Sequence, residues 1–452
     1  MVFPVGTGHE GFMNLRETAR DLFLETLRHL NIEEAMTVRV NVAGTTLSLG
    51  RYQYDLATFR RVYLVSMGKA AVPMLDAVLS RVEPLLRDNQ ELKGIAVGSS
   101  LPSAPDPRIQ YLKGDHPLPG ATSQRAAEAI LYLLSQSDSE TLVLFLISGG
   151  ASAMVEMPLD PGISLEDSIS FHKALVHSGL PIQQMNALRK HFSHVKGGRL
   201  AVAAHPATQS TLLISDVPNN LLHIVSSGPS LPDPSTVGEC RQILRDHASS
   251  LQLSPSLARF FDSAELEETP KADHPAFRKA SWTSLLSSDD LCGIAGAFAA
   301  SRGFHVVVDN TCDDWDYRDA APYLLQELRK LREQYPRICL LSAGELSVPL
   351  SKRHGKGGRN QQFVLECARL LSQDGLRATV LSGGSDGVDG NSPATGAVCD
   401  ETTLARATAA GKNMWAALEQ FDSFPLLESI GDAITTGPTG NNVRDLRILL
   451  CE

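Results

Sequence analysis

No two of the seven cysteines, at 240, 292, 312, 339, 367, 399 and 451, form a CxxC pair, and their total is odd. That pattern excludes a zinc ribbon or a disulfide framework and leaves reduced thiols, as in a cytosol. No apolar run approaches ~18 residues, so nothing reads as a membrane span. The apolar core of a signal peptide and the Arg/Ser-rich pattern of a transit peptide are also missing, which makes the cytoplasm the expected location. Basic excess is absent. The formal net charge is −10, whereas a general nucleic-acid binder needs a basic face. There is no internal repeat, no Walker A GxxxxGK(S/T) and no protein-kinase catalytic loop.

What is present is the composition of a globular enzyme, 43% hydrophobic and 20% charged. A length of 452 residues is enough for two or three domains at ~150 residues each. One stretch organises the chain: Gly355-Lys356-Gly357-Gly358-Arg359-Asn360. Upstream, 338–342 reads as a buried strand, followed by Gly344-Glu345 and alternating Leu346, Val348 and Leu350. Downstream, Phe363, Val364, Cys367 and Leu370 recur at helical spacing. The glycines therefore stand where a loop opens a helix, a position whose free N–H groups and dipole favour an anion. Lys356 and Arg359 add positive charge. A flexible turn with two solvated cations would use the same residues.

Earlier in the chain, Gly6 to Gly11 matches GxGxxG, but only five residues precede it, Pro4 among them, so no strand feeds it and it reads as a leader. A helix follows, with Leu15, Ala19, Leu22, Phe23, Thr26, Leu27 and Leu30 on one face. The strand 61–66 runs into Met67-Gly68-Lys69-Ala70-Ala71, placing a lysine where open parallel sheets bind ligands. After the rigid turn 114–120, a helix is expected with Thr122 or Ser123 as its cap. The most apolar strand, 142–147, belongs at the centre of a parallel sheet and ends in Ser148-Gly149-Gly150-Ala151-Ser152. Met154 stands where a nucleophile elbow needs its second glycine, which disfavours a serine hydrolase.

After Pro181 the spacing predicts a long helix with Asn186, Arg189, Ser193 and Lys196 on one face, either a solvated stripe or the wall of a cleft. The strand 211–215 ends at Asp216. A polar stretch at 264–281 reads as the domain connection. Further on, the strand 378–382 ends in Gly383-Gly384-Ser385-Asp386-Gly387-Val388-Asp389-Gly390, where two carboxylates suit either a hydrated Mg²⁺ or an ordinary turn. Buried strands thus repeatedly end in glycine turns bearing Ser, Lys, Arg or Asp. Amides, cations and Asp converging at strand ends are the inventory for phosphoryl transfer.

These motifs resemble those of the glycerate 2-kinases of the non-Walker, MOFRL-type family, some members of which carry a hydroxypyruvate reductase label. The matching segments are MGKAA (67–71), GDHPLPGATS (114–123), SGGASA (148–153), MNALRKHFSHVKGGRLA (185–201), SDVP (215–218), SSGPSLPDPST (226–236), GKGGRNQQF (355–363), SGGSDGVDG (382–390) and TGPTGNNVRDL (436–446). They cover most of the chain in the family's order. The resemblance implies an α/β protein of two domains around a cleft: a larger N-terminal Rossmann-like three-layer sandwich over 1–265 and a smaller C-terminal α/β domain over 285–452. It implies phosphorylation of the 2-hydroxyl of D-glycerate by ATP and Mg²⁺, and a monomer or homodimer without nucleic-acid or membrane partners.

On that resemblance Lys69 and Arg359 are the key cations, and Asp216 is the candidate acceptor of the hydroxyl proton. Ser148, Gly149, Gly150, Ser152, Arg189 and Lys196 would hold glycerate. Gly355, Lys356, Gly357, Gly358, Asn360, Gly383 and Gly384 would hold ATP, and Asp386 and Asp389 the metal. Three departures stand out: Ala151 for a third glycine, Asn219-Asn220 for Gly-Asp, which removes a carboxylate, and Ser385 for Thr. The rival functions are an NAD(P)H-dependent hydroxypyruvate reductase, which needs a dinucleotide fingerprint after a strand, and a non-catalytic sugar-acid or phosphate-binding protein.

Overall fold

The computed structural model describes residues 14–350 and 354–452, apart from Asp216 and Pro218. The leader motif at 6–11 and the proton-acceptor candidate Asp216 therefore lie outside the described residues. The chain forms two compact α/β units. One is Asn31–Ser287, and the other joins the start of the chain, up to Leu30, to Ser288–Glu452.

The first unit is built on six parallel strands. Taken across the sheet they are Ile109–Lys113, Glu91–Gly98, Arg61–Met67, Thr141–Ile147, Thr208–Ile214 and Ala280–Leu286. Counted along the chain this order is 3-2-1-4-5-6, that of a doubly wound dinucleotide-type sheet. Thr141–Ile147 is buried at all seven positions, as its unbroken apolar run requires of a strand covered on both faces. Tyr63, Val65, Phe145, Ile147 and Leu213 share one core cluster with Ala126, Ile130 and Leu200 from the covering helices. The polar stretch after 264 runs into Ala280–Leu286, which pairs in parallel with Thr208–Ile214, so it ends inside this sheet and not in a linker.

Two local expectations are corrected. The helix after Pro181 spans Ile182–Phe192 only, so Ser193 and Lys196 lie beyond its end and no four-residue helical stripe exists. The helix Ala121–Leu134 begins after Gly120, with Thr122 and Ser123 in its first turn; the acceptor for both their N–H groups is Asp115 Oδ2, at 3.0 and 3.2 Å.

The second unit carries a mixed six-stranded sheet in the order His305–Val308, Ile338–Ala343, Asp445–Cys451, Ala378–Gly384, Gly396–Cys399 and Ala433–Ile434. The chain's last strand sits inside the sheet, antiparallel to both neighbours. Leu340, Val380 and Leu449 pack with the helices Tyr317–Gln334 and Arg359–Asp374. On the other face lie Ser288–Ser301 and the first helix, Leu15–His29, which chain order groups with the N-terminal half. There Phe23 packs against Gly383, where a Cβ would come within 2.5 Å of the ring.

Candidate functional site

In the first unit the strand order reverses between Arg61–Met67 and Thr141–Ile147, and the crevice at such a reversal is where open α/β sheets bind ligands. The two turns that leave these strands are locked together there. Lys69 N–H donates to Gly149 O at 2.9 Å and Ala70 N–H to Ser148 Oγ at 3.0 Å. Gly68 has φ +117°, and a Cβ on it would stand 2.4 Å from Ser148 O, so this close approach requires glycine. Lys69 and His116 both flank Gly150, within 3.5 Å of where a Cβ on it would sit. Burial, then the Lys69 charge, lowers the His116 pKa and favours its neutral form.

A third segment closes the turn from the other side. Ser226 donates to Ser148 O at 2.9 Å, Ser152 Oγ lies 3.1 Å from Ser227 Oγ, and Ser227 donates to Asn186 Oδ1 at 2.8 Å. Ser226 and Ser227 are consecutive non-glycine residues with φ of +50° and +61°. Such left-handed conformations cost about 1–3 kcal/mol each, and surrounding structure holds them in place mainly at functional sites. Arg189, one turn after Asn186, is largely buried, yet among the described residues it forms no hydrogen bond or ion pair, and its Nε is buried without a partner. Lys69 is exposed and equally unpaired.

Lys196 does not join them. It is 1% exposed and bonded to Glu156, which also meets His172 Nε2 at 2.8 Å. Burial pushes the Glu156 carboxyl up, but Lys196 and His172 outweigh it and hold the group well below the usual carboxylate range. The lysine's charge is spent on a buried ion pair.

The glycine stretch of the second unit lines a pocket of about 580 Å³. Gly355, Gly357, Gly358, Arg359, Asp386 and Asp389 face it, together with Leu346, Val348, Leu350, His354 and Phe421. Several of its amides, however, already have acceptors within the protein. Lys356 N–H bonds Asp422 Oδ1 at 2.7 Å and Gly357 N–H bonds Asn391 Oδ1 at 2.8 Å. At the helix start, Asn360 N–H and Gln361 N–H bond the two oxygens of Asp389 at 3.1 and 2.9 Å. The anion expected at this N-terminus is thus the protein's own carboxylate. Arg359 is forked onto Asp445 at 2.6 and 3.1 Å and reaches Glu345 at 2.8 Å. Lys356 Nζ stands 4.8 Å from the centre of the Phe424 ring.

Asn360 is buried between Asp389 and Ser382, not turned to a ligand. Gly383 makes room for Phe23, and Gly384 N–H bonds Thr395 O at 2.9 Å, so neither glycine cradles a phosphate in this conformation. Asp389 does not fit as a metal ligand either: it is 2% exposed, with both oxygens engaged. Asp386 is half-buried and accepts the Val388 N–H at 3.0 Å. Among the described residues no three His, Cys, Asp or Glu side chains lie close enough to hold a metal ion.

Sequence reasoning did not single out His116, Ser226 or Ser227 as site residues, although all three lie in quoted motifs. The rigid turn 114–120 and the doubled serine before Gly228-Pro229 were the available signals.

Two family models match the chain: a domain of unknown function (DUF4147) over 18–262 and the MOFRL family over 338–445. A D-glycerate 2-kinase of Thermotoga maritima is 33% identical over 396 residues, 86% of this chain and 90% of that protein. A glycerate 2-kinase of Pyrococcus horikoshii is 30% identical over 446 residues, 97% of this chain and 98% of that one. The crystal structure of a glycerate kinase from Thermotoga maritima matches with a TM-score of 0.80 at 30% identity, covering 97% of this chain and 99% of the other.

Proposed function

Because the chain belongs to the glycerate 2-kinase family, we propose that it transfers the γ-phosphoryl group of ATP to the 2-hydroxyl of D-glycerate, giving 2-phosphoglycerate. The observation that carries this reading is Lys69, exposed beside the Ser148–Ser152 turn at the reversal of the sheet and without an ion pair among the described residues, with the largely buried Arg189 one helical turn after Asn186, which Ser227 bonds. Arg189 is largely buried and forms no ion pair among the described residues, with only the charge of Glu156 acting on it, so a small carboxylate suits it as a further anion. Lys69, as a point charge, holds the glycerate carboxylate or a phosphoryl oxygen, and the turn's hydroxyls and amides orient the rest. Asp216, which follows the strand Thr208–Ile214 by two residues in the sequence, is the proposed acceptor of the hydroxyl proton.

Arg359 is the proposed clamp on the transferring group. To serve, it must give up part of its fork to Asp445 or share it, since two carboxylates hold it in the described conformation. Bound with ATP, Mg²⁺ neutralises phosphate charge. Asp386 is a candidate contact for it. Among the described residues no helix is long and apolar enough to cross a membrane, and a cytoplasmic enzyme, monomeric or homodimeric, is part of the proposal.

The test is incubation with ATP, Mg²⁺ and D-glycerate, assaying ADP and the phosphoglycerate isomer, beside NADH oxidation with hydroxypyruvate. ADP with 2-phosphoglycerate is expected. NADH consumption without ADP would favour a reductase, against which the turn after the first parallel strand already argues: it reads Gly-Lys-Ala-Ala and lacks the GxGxxG fingerprint.

A further inference from the structure

Three side chains behind the Ser148–Ser152 turn form a hydrogen-bond chain whose direction can be worked out from one end. Asn186 is buried, and its Nδ2 faces Ile224 O at 3.5 Å. A flipped amide would set Oδ1 toward that carbonyl, acceptor facing acceptor, whereas Oδ1 on Ser227 gives both ends of the amide a partner, and this is the orientation of the network. Oδ1 has no hydrogen to give. The Ser227 hydroxyl therefore spends its single hydrogen on Asn186, at 2.8 Å. Facing Ser152 across 3.1 Å, Ser227 has only lone pairs left, so Ser152 in turn must donate inward. Ser152 is half-buried on the turn beside Lys69, and its hydrogen is committed to the protein. What it offers outward is acceptor capacity alone.

We infer that Ser152 accepts a hydrogen bond from a substrate hydroxyl, and that Ser227 and Asn186 are positioning residues that fix this polarity and so select hydroxylated acids over acids that place an acceptor there. The inference rests on the kinase reading only for the identity of the acid. A donor to a carboxylate lies at the same turn, on Lys69 next to Gly150. A small hydroxy acid is thereby oriented at both ends: anion to Lys69, terminal hydroxyl to Ser152. The left-handed backbone at Ser226 and Ser227 gives this chain a second, independent support. Strain at two successive residues persists where it places particular atoms, and here those atoms bond Ser148 O and Asn186 Oδ1.

The test compares three small hydroxy acids by calorimetry without ATP: the monoanions D-glycerate and D-lactate, which lacks the 3-hydroxyl, and the dianion hydroxymalonate, which has a carboxylate acceptor in its place, its extra charge being common to wild type and variants. Wild type should bind glycerate more tightly than lactate, and Ser152→Ala should lower that ratio by about 3–10-fold, the worth of one hydroxyl hydrogen bond. Ser227→Ala leaves the Ser152 hydroxyl in place and frees it to rotate. Its expected mark is a gain in hydroxymalonate affinity relative to glycerate, because Ser152 can then donate outward. A merely structural role for Ser227 would weaken all three ligands alike. Circular dichroism melts show whether each variant is folded, and Ser152→Ala, on a half-buried turn, carries the test if Ser227→Ala unfolds. Equal binding of glycerate and lactate by wild type, no glycerate binding at all, or an unchanged ratio in Ser152→Ala would overturn the inference. If the ratios shift as expected while ATP and glycerate yield no ADP, the hydroxyl site stands and the kinase reading falls.

Discussion

Asp389 shows how a single carboxylate can read as a ligand and serve as a cap. Burial, reinforced by the nearby Asp445, pushes its pKa from an ordinary 3.8 up to about 6, although the Asn360 and Gln361 amides favour its ionised form. The sign of the linkage follows. Between pH ~4 and ~6 the folded protein keeps a proton here that the unfolded chain has released. The stability this group contributes is therefore fully present below the unfolded value and is lost as pH rises through about 6. Asp389→Asn abolishes the titration. The unfolding free energy of wild type minus that of the variant should fall by on the order of 3 kcal/mol from pH 4 to 7 and be flat above. Chemical denaturation of both proteins across that range measures it, and a pH-independent difference would refute it. The half-saturating Mg²⁺ concentration for turnover should be the same in both, since neither oxygen is free for a metal.

At the scale of elements, close packing decides what the glycine turns do. Gly383 stands at the end of Ala378–Gly384 because Phe23 of the first helix fills the space a side chain would need. Gly383→Ala should destabilise by about 1–3 kcal/mol, as overpacking does, and Phe23→Leu in the same chain should recover part of that loss. Thermal melts of the two single variants and the double provide the cycle; additive losses would show that the two residues do not press on one another. This contact also marks the limit of what the sequence discloses. The parallel strands 61–67 and 141–147 were legible because their apolar runs are unbroken, and the lysine and glycine turns because they follow those strands directly. Lys196 was misplaced because the helix stops at Phe192 and its partners, Glu156 and His172, are remote in sequence. Likewise nothing local to 355–360 announces that Asp389 and Asp422 will satisfy its amides. Long-range partners decide whether a polar residue is offered to a ligand or consumed by the fold, and local patterning does not encode them.

At the scale of the whole molecule, the two units are not the two halves of the chain. The first helix contributes Ala19, Leu22, Phe23, Thr26 and Leu27 to the core of the C-terminal unit, and Arg16 pairs with Asp400 at 3.3 Å and with the fully buried Asp432. Burying Leu22, Phe23 and Leu27 is worth about 1.5–3 kcal/mol each, roughly 5–9 kcal/mol together. A whole domain's stability is only about 5–15 kcal/mol. Removing the helix also leaves Asp432 with Arg406, at 2.7 Å, as its ion-pair partner among the described residues and opens an apolar strip across the sheet. A polypeptide of 288–452 alone should therefore fail to fold cooperatively, although it holds all six strands of its sheet. Adding a peptide of 14–30 should restore a cooperative melt in a concentration-dependent way, because a ligand that binds only the folded form stabilises it by mass action. The same peptide with Phe23→Asp should not, since it would bring a charge against Gly383. Circular dichroism melts at rising peptide concentration make the measurement. If 288–452 melts cooperatively without the peptide, at the temperature of the full-length protein's C-terminal unit, the first helix is an appendage and not part of that core.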